Sequence, residues 1–443
     1  MRILLISYHF PPDPAVGALR ASHVAEALQA AGHEVTVITA RLPGERGRWR
    51  PAASGLRVRP IRSLPTLRDL YAWAKRGLRV RHSDRAETQS DRSTSDWPDH
   101  VPSWKRYLLS LLWFLDDRTG FVIPALLAAV GQVRGGIDLV YTTVPPFSGH
   151  LVGLILRRLG GFRWAAEFRD PWTDQRGKPP HVRSRWSDAA ERWLERQCLR
   201  AANHVIAVTD NTRDLLVAKA NGKANGEGFA GKTIVVRNGI ERLAVAASTT
   251  RPAHGPFRIV HVGTFYDWRD PRPFFASLAA AIDRFGVPPG SIEVELIGDC
   301  RWYHGISVEQ VATDVGLADR VTFRDWVPHD VALQAIETAD LLLLLNENQP
   351  AQAPTKAYEY LGTRVPILAF TEEGSEIVHM LRRVGGHYLV TDRNTDTAAR
   401  FIADAIRNRQ ASRDAVGDES VLTTWTLERQ MQQLCAALEG AVR

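Results

Sequence analysis

Cysteine is scarce in this chain of 443 residues. The three present, Cys198, Cys300 and Cys435, stand far apart and share no metal-ligand spacing. So sparse and odd a set reads as free thiols in a reducing cytoplasm, which excludes a disulfide-framed scaffold or a cysteine metal knuckle. No Walker loop, Gly-x-Ser-x-Gly elbow or His-Glu-x-x-His helix occurs, which argues against NTPase, esterase and metalloprotease chemistry. Long apolar runs are missing too. The most apolar stretch, Tyr107 to Val130, is cut by Asp116-Asp117-Arg118 into pieces too short to span a bilayer. The opening run, Met1 to Ser7, is too short for a signal peptide and has no small-residue cleavage site, so none is expected.

What the chain does have is length enough for two domains, with 44% hydrophobic and 24% charged residues, the balance of a folded globular protein. Its net charge of +7 is unevenly placed. Between Arg41 and Arg118, seventeen Lys/Arg face nine Asp/Glu, a balance of +8, and five tryptophans (Trp49, Trp73, Trp97, Trp104, Trp113) share that stretch. Such a segment suits peripheral contact with an anionic membrane surface. The plainer alternative is a solvated, arginine-rich insertion with ordinary core tryptophans. No nucleic-acid recognition motif accompanies the charge, so nucleic acid is not an expected partner.

Periodicity predicts strand, helix and strand over the first forty residues: Ile3 to Ser7, then Leu19 to Ala31 with Ala21, Val24, Ala25 and Leu28 on one face, then Val35 to Thr39. Further strands are expected at Leu139–Thr143, Trp164–Phe168, Val205–Val208 and Ile234–Val236. A linker is expected from about Ala244 to Pro256. A second series follows at Arg258–Val262, Glu293–Ile297, Val321–Arg324, Leu341–Leu345, Pro366–Phe370 and Tyr388–Val390. Several of these strands are apolar without alternation, as parallel strands covered on both faces are. The fold class is therefore α/β, two doubly wound, Rossmann-like domains in tandem, 1–245 and 256–423. A terminal helix from Thr424 to Val442 is expected, packing back on the first domain. Arg81 to Asp99 is polar enough for a mobile loop. In such folds ligands bind at the carboxyl ends of strands where the order reverses, and two sheets facing one another would leave a cleft between them.

Four segments sit at such strand ends. The loop from Tyr8 to Gly17 is stiffened by prolines and leads into a helix whose first N–H groups suit an anion. Ala166-Glu167-Phe168-Arg169-Asp170-Pro171-Trp172 puts Arg169 and Asp170 on the rim, where a carboxylate can orient a hydroxyl or take its proton; a structural Arg–Asp pair is the plainer alternative. In Pro354-Thr355-Lys356-Ala357-Tyr358-Glu359, Pro354 suits the first helical position, and Thr355 and Lys356 add a hydroxyl and a charge suited to a diphosphate. Glu359 lies a turn on, placed to accept from ribose hydroxyls or, more plainly, to pair with Lys356. Gly263-Thr264-Phe265-Tyr266-Asp267-Trp268-Arg269 offers Arg269 as a bidentate phosphate grip, and Gly298-Asp299 is a lesser site of the same kind.

With these residues in view, the chain resembles the GT4-type retaining glycosyltransferases of the GT-B fold. The likeness runs through MRILLISYHFPPD with Gly17, AEFRDPWTD, ERWLERQCLRAANHVIAVTD, VVRNGIE and PTKAYEYLGTRVPILAF. It implies a nucleotide-diphosphate sugar held mainly by the second domain, through Gly263, Thr264, Arg269, Thr355, Lys356 and Glu359, with Gly17 contributing from the first. It implies an acceptor, a glycan or a lipid-linked molecule, held by Arg169, Asp170 and Trp172. Asp170, Arg269 and Lys356 are the catalytic candidates. The chain departs from the family pattern in places: the first of two motif glutamates falls at Ala351, leaving Glu347 or Asn348 as substitutes, and Thr264 stands at a phosphate-binding arginine. No Asp-x-Asp metal clamp occurs, so no metal or other cofactor is expected. A cytoplasmic role in cell-envelope polysaccharide assembly is implied, with the membrane's inner face close by. A GT-B sugar-nucleotide epimerase and a non-catalytic nucleotide-sugar or glycan-binding scaffold are the alternatives.

Overall fold

The structure, a computed structural model, describes residues 1–41, 55–79, 102–133, 135–174, 182–221, 227–244, 255–266, 268–409 and 417–440. Two compact units emerge, Met1–Arg237 with Met431–Arg443, and Asn238–Gln430. The expected linker and the expected mobile loop at Arg81–Asp99 lie largely or wholly outside the described residues.

The first unit is built on β1 (Arg2–Ile6), α1 (Val16–Ala30), β2 (Glu34–Ala40), β3 (Arg57–Ile61), α2 (Leu67–Arg79), α3 (Ser103–Leu112), α4 (Val122–Val133), β4 (Leu139–Val144), α5 (Ser148–Gly160), β5 (Arg163–Phe168), α6 (Arg185–Ala201), β6 (His204–Ala207), α7 (Asp210–Asn221), α8 (Glu227–Ala230) and β7 (Thr233–Val235). Its seven strands are all parallel, in the order β3-β2-β1-β4-β5-β6-β7. Ile3 pairs with Val35 on one side and Leu139 on the other, so the order reverses between β1 and β4. Ile3 to Ile6 of β1 form a continuous apolar run and all of β4 is buried, as strands covered by helices on both faces are. Ala21, Val24, Ala25 and Leu28 of α1 are fully buried, as their spacing predicts, and Gly32 (φ +83°) lies just past its end.

The second unit repeats the plan. It comprises β8 (Phe257–Val262), α9 (Arg272–Phe285), β9 (Ile292–Ile297), a short hairpin of β10 (Trp302–Tyr303) and β11 (Ile306–Ser307), α10 (Val308–Asp314), β12 (Val321–Arg324), α11 (His329–Glu337), β13 (Leu341–Asn346), α12 (Thr355–Thr363), β14 (Ile367–Thr371), α13 (Glu376–Val384), β15 (Tyr388–Val390), α14 (Thr395–Arg407) and α15 (Glu419–Thr424). Six parallel strands run β12-β9-β8-β13-β14-β15, and the order reverses between β8 and β13. Leu341, Leu343 and Leu345 pack on one face of β13 against Phe274 and Phe370, while Leu342 and Leu344 pack on the other against Tyr360 and Ile367.

One sequence expectation needs correction, and one strand lies outside those that periodicity predicts. The terminal helix does not begin at Thr424: α15 ends there and α16 runs Leu427–Gly440. Ile240 separates them, its N–H donating to Trp425 O (2.8 Å) and its carbonyl accepting from Leu427 N (2.9 Å), which takes those backbone groups out of any helical ladder. Strand β3 escapes the apolar-run criterion because it is an edge strand, Arg-Val-Arg-Pro-Ile, charged and carrying a proline as edges commonly do.

Candidate active site

Each sheet's order reversal gathers polar groups at its carboxyl ends. In the second unit the central feature is Lys356, the second residue of α12. Tyr360, one turn on, accepts from Val262 N at 2.9 Å and so ties α12 to the end of β8. That tether points Lys356 at Gly263, the residue following β8. Gly263 has φ +144°, and a Cβ there would collide with the Lys356 ammonium. Gly298, after β9, has φ +109°, and a Cβ there would strike the Gly263 carbonyl. Both glycines are demanded by close approach and by backbone conformation.

The Lys356 Nζ is buried and makes no hydrogen bond. Burial, reinforced by the neighbouring Arg269 charge, pulls its pKa down to about 7. Its other neighbours offer little relief. Cys300 donates from Sγ to Gly263 O (3.2 Å), and burial with the Asp299 charge keeps that thiol protonated. His261 is fully buried, its Nδ1 at 2.9 Å from Leu343 O, and burial with the Lys356 charge holds it neutral. A buried ammonium without a counter-charge is costly, and an anion in this pocket would remove that cost.

Around it stand the other expected residues of this unit. Arg269 stacks over the Tyr266 ring (4.5 Å) and donates from Nη1 to Thr264 O at 3.4 Å. Asp267 lies outside the described residues. Thr355 opens α12, whose N-cap Pro354 makes no side-chain capping bond, so the first turn carries the dipole's positive end. Glu359 makes no ion pair with Lys356. It is largely buried, and burial with the Glu241 charge lifts its pKa, which His329 and Lys356 oppose. Ala351 is buried where the motif's first glutamate would stand. Glu347 is buried as well and accepts from Arg393 Nε at 2.8 Å; burial raises its pKa in spite of that arginine. Asn348 adopts φ +57° and donates its N–H to Glu372. The amide of Asn346, at the end of β13, is buried with neither atom bonded.

In the first unit the structure brings Gly17 and Arg169 together: a Cβ on Gly17 would overlap the Arg169 guanidinium. Arg169 also donates from Nε to Val144 O (3.1 Å) and from Nη2 to Pro145 O, so it braces the ends of β4 and β5 against the first turn of α1. Asp170 follows it, half-buried. Trp172 is only 3% exposed and stacks flat on Phe147, with centroids 5.2 Å apart, so its ring face is committed to packing; its edge lines a small cavity with Glu191 and Arg183.

Beneath Arg169 lies a pair that the motif reading missed. Glu167 is fully buried and accepts from Arg20 Nε (3.0 Å) and Nη2 (2.8 Å), while Arg20 also donates to the carbonyls of Val236 and Arg237. Burial opposes ionisation of Glu167, but Arg20, Thr143 and Arg169 prevail and hold its pKa below the usual carboxylate value. The signal was present: Arg20 falls one turn before Val24 on the buried face of α1. His261 and Asn346 were legible in the same way, as polar residues late in otherwise apolar strands.

A family model described as the glycosyl transferase 4-like domain matches residues 17–239, half of the chain. No curated protein matches it in sequence. Solved structures do match in fold. The sucrose-phosphate synthase of Thermosynechococcus elongatus superposes with TM-score 0.63 at 17% identity, covering 100% of both chains. HepE of Anabaena, solved in complex with UDP, gives TM-score 0.61 at 16% identity over 99% of this chain and 100% of that one. The lipopolysaccharide outer core galactosyltransferase WaaB gives 0.60 at 14% identity over 99% of each.

Proposed function

Since this chain belongs to the glycosyl transferase 4-like family and has the GT-B fold, we propose that it transfers a sugar from a nucleotide-diphosphate donor to a glycan or lipid-linked acceptor in cell-envelope polysaccharide assembly, at the cytoplasmic face of the membrane. The observation that carries this reading is the buried, unpartnered ammonium of Lys356 beside the uncapped end of α12. Lysine, helix end and the nearby Arg269 together make a site for a diphosphate. Their positive charge stabilises the negative charge that grows on the departing nucleotide diphosphate, so the transfer needs no metal. Glu359, a turn along α12, holds the ribose. Glu347, with Arg393, takes the place of the missing motif glutamate against the donor sugar.

On the acceptor side Asp170 orients the attacking hydroxyl, and Arg169 fixes the strand end that carries it. The reaction is retaining: the hydroxyl enters on the face that the diphosphate leaves. HepE was solved with UDP and with UDP-glucose, which makes UDP-sugars the first donors to try.

Thermal shift and slow donor hydrolysis with UDP-, GDP-, dTDP- and ADP-sugars, in the presence of EDTA, test the proposal on wild type and Lys356→Ala. One nucleotide class is expected to stabilise wild type but not the variant, with release of free nucleotide. Absence of stabilisation by any class would sink the donor site, and stabilisation with no turnover on any acceptor would leave a binding protein.

A further inference from the structure

Among the described residues of the whole chain, twenty large apolar side chains are exposed, and eleven of them fall between Leu64 and Leu127 of the first unit. Ten of these eleven lie on helices. In α3, Trp104, Tyr107, Leu108 and Leu111 are 70%, 53%, 42% and 47% exposed, and their spacing of three, four and seven puts them on one side of the helix. Leu109 and Ser110, on the opposite side, are buried. The apolar stripe therefore faces solvent, the reverse of the arrangement in a helix that packs on its own core. Helix α2 likewise exposes Leu67, Leu70, Tyr71 and Trp73. The Arg68 guanidinium, 3.9 Å from the Trp113 ring centroid and paired with Asp117, holds the start of α2 beside the end of α3.

We infer that the exposed face of α2 and α3 lies in the plane of an anionic lipid bilayer, its apolar residues among the acyl-chain ends and its basic residues at the headgroups. Charge selects this occupant. Helices α2 and α3 themselves contain Arg68, Lys75, Arg76, Arg79, Lys105 and Arg106 against a single acidic residue, Asp69, and Lys105 and Arg106 are exposed, so a second copy of the same face would be repelled where acidic headgroups are attracted. Composition agrees, since Trp and Tyr on an amphipathic helix settle at the headgroup level. Among the described residues no helix is long and apolar enough to cross a membrane, so the contact lies on the surface. The purpose of this contact, bringing the first unit to a lipid-linked acceptor, rests on the transferase reading above; the surface itself does not.

Co-sedimentation of the full chain with vesicles tests it, comparing phosphatidylcholine alone with an equimolar mixture of phosphatidylcholine and phosphatidylglycerol. Wild type is expected to pellet with the anionic vesicles. L108D/L111D and, separately, K105E/R106E should each weaken that binding at least about tenfold. Both should keep the melting temperature and the nucleotide-sugar stabilisation of wild type, which shows that they fold. Wild type left in the supernatant with both vesicles would overturn the inference, as would undiminished pelleting of L108D/L111D. So would a wild-type dimer that L108D/L111D converts to monomer, because a second copy would then own the face. Vesicle binding without any nucleotide-sugar stabilisation would leave this surface standing and remove the donor reading alone.

Discussion

The ammonium of Lys356 occupies the space that a side chain on Gly263 would need. This contact couples a backbone position at the end of β8 to the second residue of α12, and Gly263 has φ +144°, so the position excludes every other residue on two counts. The Gly263→Ala variant is expected to lose nucleotide-sugar stabilisation altogether, because Lys356 must leave the pocket. Its unfolding free energy should fall by about 1–3 kcal/mol from backbone strain. Denaturant melts with and without donor measure both effects, and a variant that still binds donor normally would show that Lys356 is not the phosphate contact.

Lys356 also sets a pH dependence. In the empty pocket its pKa stands at about 7, below the ordinary 10.5. An anionic donor binds the charged form, so affinity is flat below pH 7 and falls by up to about tenfold per unit above it, as each binding event must bring a proton. Diphosphodiester groups keep their charge throughout this range and do not confuse the reading. Stability runs the other way. Between pH 7 and 10.5 the unfolded chain holds a proton that the folded chain lacks, so Lys356 makes the empty protein more stable as pH rises through that window. Calorimetric titration of donor between pH 6 and 9, in buffers of different ionisation enthalpy, should show the proton uptake; a pH-independent affinity would refute it.

The difference between what the sequence disclosed and what it hid follows from how each residue is used. Strands such as Leu341–Asn346 are legible because burial on both faces demands an unbroken apolar run, and α1 because its buried face repeats at helical spacing. Lys356 and Arg269 are legible as cations at strand ends. Spacing puts Glu359 one turn from Lys356 but does not tell where the ammonium points, which is toward Gly263. Arg20 and Glu167 lie 147 positions apart, and only the β1-β4-β5 order brings them together. Long-range pairing of that kind has no local signature.

That pair carries its own expectation. Arg20 is 5% exposed and Glu167 not at all, so removing one partner strands a charge in the core. Arg20→Met should destabilise the protein by about 3–5 kcal/mol, whereas Arg20→Met combined with Glu167→Gln should recover much of the loss. The pH profile follows from the depressed pKa of Glu167. Its contribution is complete above the unfolded carboxylate value and is lost as pH falls through the folded one, a loss that the double variant should no longer show. Urea melts from pH 3 to 7 test both statements, and additive losses would mean that the two side chains do not act as a pair.

Asp170 follows Arg169, whose guanidinium is fixed by the Val144 and Pro145 carbonyls and pressed against Gly17. If the carboxylate steers the acceptor hydroxyl, Asp170→Asn should lower kcat by about 10²–10⁴ and leave donor-induced stabilisation as it was. Gly17→Ala probes the brace from the other side. Its methyl would meet the far end of a flexible side chain, so the guanidinium can swing away at little cost in stability, while the strand end that carries Asp170 loses its fixed position. The expected signature is a reduced kcat with a nearly unchanged melting temperature. Turnover by Asp170→Asn at the wild-type rate would remove this residue from the chemistry, and loss of donor stabilisation in the same variant would move it to the donor side.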